Sequence, residues 1–138
     1  MFAQNLIELR KLHNLSQEEL AEKIHVTRQT ISKYETNESL PDIEKCAALA
    51  EVFGVTVDDL IHYRKEENLG LHVPPKGKHI FGIVKVGDKG QIVIPAKARK
   101  IFSIDPGDSL VVLGDEGQGI ALIKEKGFLD LFNSIRKA

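Results

Sequence analysis

The stretch 16–34 constrains the fold more than any other part of the sequence, because its pattern predicts two short helices joined by a tight turn. Ser16 and Glu19 stand three residues apart, the spacing of a capping box, in which each side chain accepts a hydrogen bond from a backbone N–H at a helix start. Apolar side chains then recur on one helical face, at Leu20, Ala21 and Ile24. Thr27 can cap a second helix through its hydroxyl, which leaves His25 and Val26 to make the turn.

The second predicted helix has an apolar side and a side of long polar residues. At 100° per residue, the inner side collects Val26, Thr27, Ile31 and Tyr34. The outer side collects Arg28, Gln29, Ser32 and Lys33, and no carboxylate follows until Glu35. Such a helix suits the DNA major groove, where Arg and Lys pair with guanine and Gln with adenine. The pattern therefore predicts a helix-turn-helix whose four outer residues contact base edges.

Residues 5–61 carry four runs that together match a known family. Arg10 with LSQEELA is followed by VTRQTISKYE, LPDIEKCAALAEVFGV and DDLI. The segment resembles the Xre/Cro-type repressors, and the resemblance implies an all-α, five-helix DNA-binding domain over residues 1–65. It also implies a buried ion pair between Arg10 and Glu35, which would hold the recognition helix at its docking angle. Four polar residues would contact backbone phosphates and fix the register on DNA: Gln17, Thr27, Thr30 and Asn37. A helix pair that is plain core is the alternative.

The neighbouring helices are predicted from the same kinds of signal. A first helix covers about residues 4–13, with two leucines facing inward, Leu6 and Leu9. Pro41 and Asp42 are start signals for a fourth helix. Its expected buried stripe is Ile43, Cys46, Ala47, Ala50 and Phe53. Gly54 suits the left-handed position at its end. A short fifth helix then ends near residue 63. Cys46, the only cysteine, is expected to pack in the core rather than to serve as a reactive thiol.

The sequence changes character after the fifth helix. Residues 64–78, RKEENLGLHVPPKGK, lose all periodicity and contain two adjacent prolines, so a linker is expected over residues 66–78. From His79 apolar residues alternate, which predicts strand, turn, strand, short helix, turn, strand, turn, strand. The turn at Asp88-Lys89-Gly90 separates the first strand from a short second strand, residues 91–94. Together with the helical first half, this predicts an α+β chain.

The run DKGQIVIPAKARKIFSIDPGDSL resembles the AbrB/MazE/SpoVT swapped-hairpin family. The resemblance implies that residues 79–126 of two chains interleave into one small β barrel, so the protein would be a homodimer. Elementary physics agrees, because four short strands and a short helix enclose too little core alone. Members of this family bind DNA through basic residues, and Lys85, Arg99 and Lys100 match such positions, although Gln91 replaces the usual arginine. Dimerisation alone and dimerisation with DNA contact both stay open. A helical tail, residues 127–138, would place Phe128, Leu129 and Phe132 on one face.

The composition and charge of the sequence argue against several classes of function. The net charge of −1 divides unevenly, with 8 basic and 13 acidic side chains in residues 1–70, and 11 and 7 in residues 71–138. The five histidines lack metal-ligand spacing, so no metal is expected, and no cofactor is predicted. No Ser/His/Asp or Cys/His set indicates an enzyme. No stretch approaches the roughly 20 apolar residues of a membrane span, and a single cysteine suits a reducing cytoplasm.

The sequence thus predicts a cytoplasmic transcription regulator, a repressor, that binds double-stranded DNA as a homodimer on an inverted-repeat operator. The alternative is an antitoxin that regulates its own promoter and binds a toxin, since both families include such proteins. A toxin partner is not favoured, because the only free appendage is the short stretch after Lys126.

Overall fold

The chain divides into two compact units, Met1–Gly82 and Ile83–Ala138. The computed structural model describes the backbone of residues 1–137, and their side chains except those of residues 129, 131 and 134–137. The first unit is helical and the second contains a β hairpin, so the predicted α+β class is confirmed. The predicted position of the Leu129 side chain lies outside the described residues.

The first unit is built from five helices around one core. They are α1 (Phe2–Leu12), α2 (Gln17–Lys23), α3 (Arg28–Glu35), α4 (Ile43–Phe53) and α5 (Val57–His62). Helix α1 packs against α3 and α5, α2 packs against α3, and α4 packs against α5. Each helix contributes to the set of fully buried side chains, which are Leu6, Leu20, Ile31, Leu49 and Leu60. The inward orientation predicted for the leucines of α1 is confirmed.

The predicted starts of α2, α3 and α4 are confirmed, because each is closed by its own cap. The capping box has both bonds at 3.0 Å, from the Ser16 N–H to Glu19 Oε1 and from the Glu19 N–H to Ser16 Oγ. The side chains that cap the next three helices each accept from the N–H three residues on: Thr27, Asp42 and Thr56. The turn before α3 has His25 at φ +59°, and Gly54 ends α4 at φ +65°.

The buried stripe predicted for α4 is partly wrong. Ile43 is 88% exposed and Ala47 is exposed, whereas Leu49, which the prediction omitted, is fully buried. Residues 49, 50 and 53 form the actual inner face, and Cys46 is half-buried at its margin. Side-chain size accounts for one part of this difference, because turning the helix toward Leu49 removes more apolar surface from water than burying Ala47 would.

The second unit contains a helix, a hairpin and a terminal helix. These are α6 (Ala96–Ile101), β1 (Leu110–Asp115), β2 (Gly119–Lys124) and α7 (Glu125–Lys137). The strands pair antiparallel from Leu110↔Lys124 to Asp115↔Gly119, and α7 packs against both. The predicted turn before β1 is confirmed by the Asp108 N–H, which donates to the Asp105 carbonyl at 3.0 Å.

Two of the four predicted strands are wrong for the single chain. Residues 79–87 and 91–94 form no strand in the described structure. The turn between them is present, because the Gly87 N–H donates to the Gln91 carbonyl at 2.8 Å and the Gly90 N–H to the Gly87 carbonyl at 2.9 Å. A strand requires a neighbouring strand that pairs with its N–H and C=O groups, and within the described part of the chain only β1 and β2 pair in this way.

Candidate nucleic-acid interface

Helix α3 presents two chemically different sides. Its inner side is anchored by Ile31, which is fully buried, and by Tyr34, whose ring meets Phe2 edge-on at a centroid distance of 6.5 Å. Burial raises the pKa of the Tyr34 hydroxyl, and the nearby Asp42 charge acts in the same direction, so this phenol stays neutral at physiological pH. The outer side carries exposed Arg28, Gln29 and Lys33 with half-exposed Ser32. The structure therefore brings the four predicted base-contacting residues to one exposed side.

A hydrogen-bonded cluster ties α3 to the two preceding helices. Arg10 Nε donates to Glu35 Oε2 at 2.7 Å, and Arg10 Nη2 donates to Glu35 Oε1 at 3.1 Å. The side chains are 14% and 6% exposed, respectively. Arg10 Nη1 also donates to the Leu15 carbonyl at 3.0 Å, and Gln17 Nε2 donates to Glu35 Oε1 at 3.1 Å. The C-terminal end of α3 is thus held by α1, by the α1–α2 loop and by the start of α2.

Two members of this cluster had no signal in the sequence. The Leu15 carbonyl is a backbone group, which no residue pattern identifies. Gln17 was predicted from the resemblance as a phosphate contact, and its bond to Glu35 engages one N–H of the amide. The amide carries a second N–H, which is the group available to a phosphate oxygen. Only the three-dimensional neighbourhood of Glu35 reveals the first role.

The other three predicted phosphate-contacting residues lie at the two ends of α3. The Thr27 hydroxyl accepts from the Thr30 N–H at 3.1 Å, and the two hydroxyls share a hydrogen bond of 2.9 Å. Asn37 is exposed and has φ +61°, one residue beyond the C-cap Thr36. These side chains flank the outer side of α3.

The three basic residues proposed for a second DNA surface belong to the second unit. Lys85 is exposed and precedes the 87–91 turn, and Arg99 and Lys100 are exposed on α6. Arg99 Nε donates to the Ile94 carbonyl at 3.0 Å, which orients the guanidinium along the segment before α6. Gln91 is exposed in the same turn.

Within the described residues, no three His, Cys, Asp or Glu side chains gather closely enough to bind a metal ion. None of the described helices has both the length and the apolar character to cross a bilayer. Burial raises the pKa of the Cys46 thiol, with a further rise from the Asp42 charge, so the thiolate is disfavoured.

Comparison with family models separates the two units. Residues 6–60 match the model described as helix-turn-helix. Residues 83–130 match the model described as antidote-toxin recognition MazE, bacterial antitoxin. These matches confirm both resemblances drawn from the sequence motifs.

Several HTH-type transcriptional regulators are similar to part of this chain. The chain is 40% identical over 60 residues to the HTH-type transcriptional activator BcrR of Enterococcus faecalis, covering 44% of this chain but only 29% of that protein. The crystal structure of the master regulator for biofilm formation SinR in complex with DNA shares 32% identity and a TM-score of 0.43, covering 45% of this chain and all of that one. An uncharacterized HTH-type transcriptional regulator of Methanocaldococcus jannaschii is 41% identical over 58 residues, covering 42% of this chain and 88% of the archaeal protein. The chain belongs to the family of HTH-type transcriptional regulators.

Proposed function

We propose that this protein is a sequence-specific DNA-binding transcription regulator, a repressor that acts as a homodimer on an inverted-repeat operator. The observation that carries the proposal is the outer side of α3. Its long polar side chains are exposed, while its inner side is buried and its C-terminal end is clamped by the Arg10–Glu35–Gln17 cluster. A rigidly held helix with an exposed hydrogen-bonding side is what reading a major groove requires.

Each outer residue has a role set by its chemistry. Arg28 and Lys33 are suited to guanine O6 and N7, and Gln29 is suited to a paired donor and acceptor contact with adenine. Ser32 can donate to or accept from either base type. Gln17, Thr27, Thr30 and Asn37 would contact phosphates and so fix the position of α3 along the duplex.

The dimer is supported by the lack of core in the second unit. Among its described side chains, Ala98 is the single buried apolar residue. Large apolar side chains are exposed along the strandless segments and on the hairpin, including Ile83, Val86, Val93 and Ile120. A soluble unit that leaves this much apolar surface in water has a partner surface to cover it. A second copy would supply both that cover and the missing strand neighbours of residues 83–94.

Substitution of Gln29 tests base readout. Gln29→Ala should weaken binding to the selected operator by about 1–3 kcal/mol, because the paired adenine contact is lost, and should leave binding to random DNA unchanged. The operator is obtained by selecting bound sequences from a random pool with the full-length protein. Gln118→Ala is the matched control, since it makes the same chemical change at an exposed turn of the second unit. Equal weakening on operator and random DNA would show that Gln29 reads no base.

The second unit may be tested separately as a DNA-binding surface through salt dependence. Two copies of Lys85, Arg99 and Lys100 would present up to six charges to the backbone. Each neutralised phosphate adds about 0.9 to the slope of log affinity against log salt concentration. We propose that the unit dimerises without contacting DNA, so the triple alanine variant should keep the wild-type slope. A slope reduced by several units, with the dimer intact by sedimentation, would assign DNA contact to this surface.

A second candidate function is that of an antitoxin. It is favoured by the match of residues 83–130 to a model described as a bacterial antitoxin, which extends into α7. Purification of the protein together with the products of its neighbouring genes tests it. A small nuclease retained in stoichiometric amount would establish the antitoxin function, and its absence would leave the regulator proposal alone.

A further inference from the structure

The segment that follows α5 folds back over the helical unit. We call residues 64–80 the strap. At its start, Lys65 Nζ lies 2.5 Å from Glu8 Oε1 on α1. Farther along, the Tyr63 hydroxyl donates to the Leu71 carbonyl at 2.8 Å, and His72 Nδ1 lies 3.7 Å from Glu8 Oε2. The Glu8 carboxylate thus meets two residues of the strap that are seven positions apart.

The second half of the strap is held by apolar packing and by the backbone. Val73 is 7% exposed and belongs to the hydrophobic core of the helical unit. The Lys76 N–H donates to the carbonyl of Gly54, the residue that ends α4, at 2.7 Å. Ile80 is half-buried against the same core. Residues of the strap therefore contact the helical unit at intervals of a few residues, from residue 65 to residue 80.

These contacts leave only a short connection between the strap and the second unit. From Ile80 to Ile83, where the second unit begins, the backbone extends at most about 11 Å. If the whole segment after Tyr63 were free, the chain could reach roughly 70 Å before residue 83. The difference matters for a dimer on DNA, because each base pair added between half-sites moves them by about 3.4 Å and rotates them by about 35°.

We propose that the strap is a specificity-determining part of the DNA-binding unit, which shortens the connection to the second unit to residues 81 and 82 and so restricts the half-site separations that the dimer accepts. This inference rests on the proposed function of the protein as a dimeric DNA-binding regulator. A flexible linker of 13 residues, by contrast, would allow the dimer to bind half-sites over a broad range of separations.

Two insertions in the full-length protein separate a strap from a free linker. One places ten Gly and Ser residues after Gly82, and the other places the same ten residues after Gly70. Gly70 is exposed, has φ +71° and lies between the Lys65 and Val73 anchors. In a strap, the insertion after Gly70 forms a loop and lengthens nothing, whereas in a free linker both insertions lengthen the connection equally. Affinity is measured on operators whose half-sites are moved apart in steps of one base pair.

The expected result is an asymmetry between the two insertions. The wild-type protein and the Gly70 insertion should lose about tenfold or more in affinity when the separation departs from the optimum by a few base pairs. The Gly82 insertion should lose much less. Equal broadening by both insertions would overturn the strap, and no broadening by either would show that the connection does not set the spacing.

Hydrogen exchange tests the strap without DNA, so its failure is distinguishable from failure of the proposed function. The Lys76 amide, bonded to Gly54, should exchange slowly in the wild-type protein. Exchange of that amide at the rate of an unstructured chain would overturn the inference. If the amide is protected but the wild-type protein selects no inverted repeat from random DNA, the proposed function fails while the strap stands as a structural element.

Discussion

Removal of the Arg10 guanidinium should destabilise the helical unit strongly, because it isolates a buried charge. The Glu35 side chain is 6% exposed and accepts two hydrogen bonds from Arg10 and one from Gln17. In Arg10→Met, one neutral amide is left to solvate that carboxylate. Breaking a buried ion pair in this way costs about 3–5 kcal/mol. A domain of this size has a total stability of about 5–15 kcal/mol, so much of it would be lost.

The double variant Arg10→Met, Glu35→Leu should recover much of this loss. With both charges gone, no ion is buried, and replacement of a buried pair by apolar side chains is often neutral or stabilising. Two smaller costs remain, since the Leu15 carbonyl and the Gln17 amide each lose a partner. Each lost hydrogen bond contributes about 0.5–1.5 kcal/mol. The double variant is therefore expected to be more stable than Arg10→Met by a few kcal/mol.

Urea unfolding of the wild type, both single variants and the double variant at pH 7 measures the coupling energy. An unfolding cost below about 1 kcal/mol for Arg10→Met would refute the argument, since a buried unpaired carboxylate cannot be that inexpensive. A double variant whose cost equals the sum of the two single costs would refute it as well, because it would mean that the two groups do not interact.

The same four proteins test whether the pair positions α3 for DNA. The double variant should bind the operator more weakly than the wild type although its stability is largely restored, because leucine and methionine do not fix the C-terminal end of α3 in one orientation. Operator affinity equal to that of the wild type would limit Arg10 and Glu35 to a role in stability.

Three further predictions concern stability alone. Ser16→Ala should lower the free energy of unfolding by about 0.5–2 kcal/mol, because the Glu19 N–H loses its cap; an unchanged thermal midpoint would contradict this. Burial raises the pKa of Glu8, but the hydrogen bonds from Lys65 and Gln4 outweigh this effect and hold the pKa below 4.5. The wild type should therefore lose stability as the pH falls through that lower pKa. Glu8→Gln should lack this part of the acid dependence in unfolding curves from pH 6 to pH 3. A fragment of residues 1–82 should be more stable than one of residues 1–66 by at least the burial of Val73, about 1.5–3 kcal/mol, and equal unfolding midpoints would contradict that packing.

The helix starts of the first unit were predictable because their signals are local. A cap joins residue i to the backbone of residue i+3, so Ser16, Thr27 and Asp42 determine helix starts without any distant partner. The left-handed Gly54 is equally local, since a residue without a Cβ adopts a φ of +65° at little steric cost. Signals of this kind can be read directly from the sequence.

Features that depend on distant partners were not predictable in the same way. Rotation of α4 about its axis, which buries Leu49 and exposes Ile43, depends on what the neighbouring helices offer. A linker was predicted over residues 66–78 because residues 64–78 have no periodicity; packing needs no periodicity, and Val73 belongs to the core of the helical unit. Glu8 and Lys65 are 57 residues apart, and the Gly54 carbonyl that receives the Lys76 N–H has no side-chain signature.

The two predicted strands that the single chain does not form, in residues 79–94, have a different cause. Alternation in residues 79–94 predicts that one face of each strand is buried, but Ile83, Val86 and Val93 are 73%, 69% and 75% exposed in the single chain. In the first unit, by contrast, every helix reaches a core within one chain. Sequence patterns reflect burial in the assembly that functions. Pattern and single-chain structure disagree over a whole element at Ile83, Val86 and Val93, and the second copy of the chain that we propose would complete this surface.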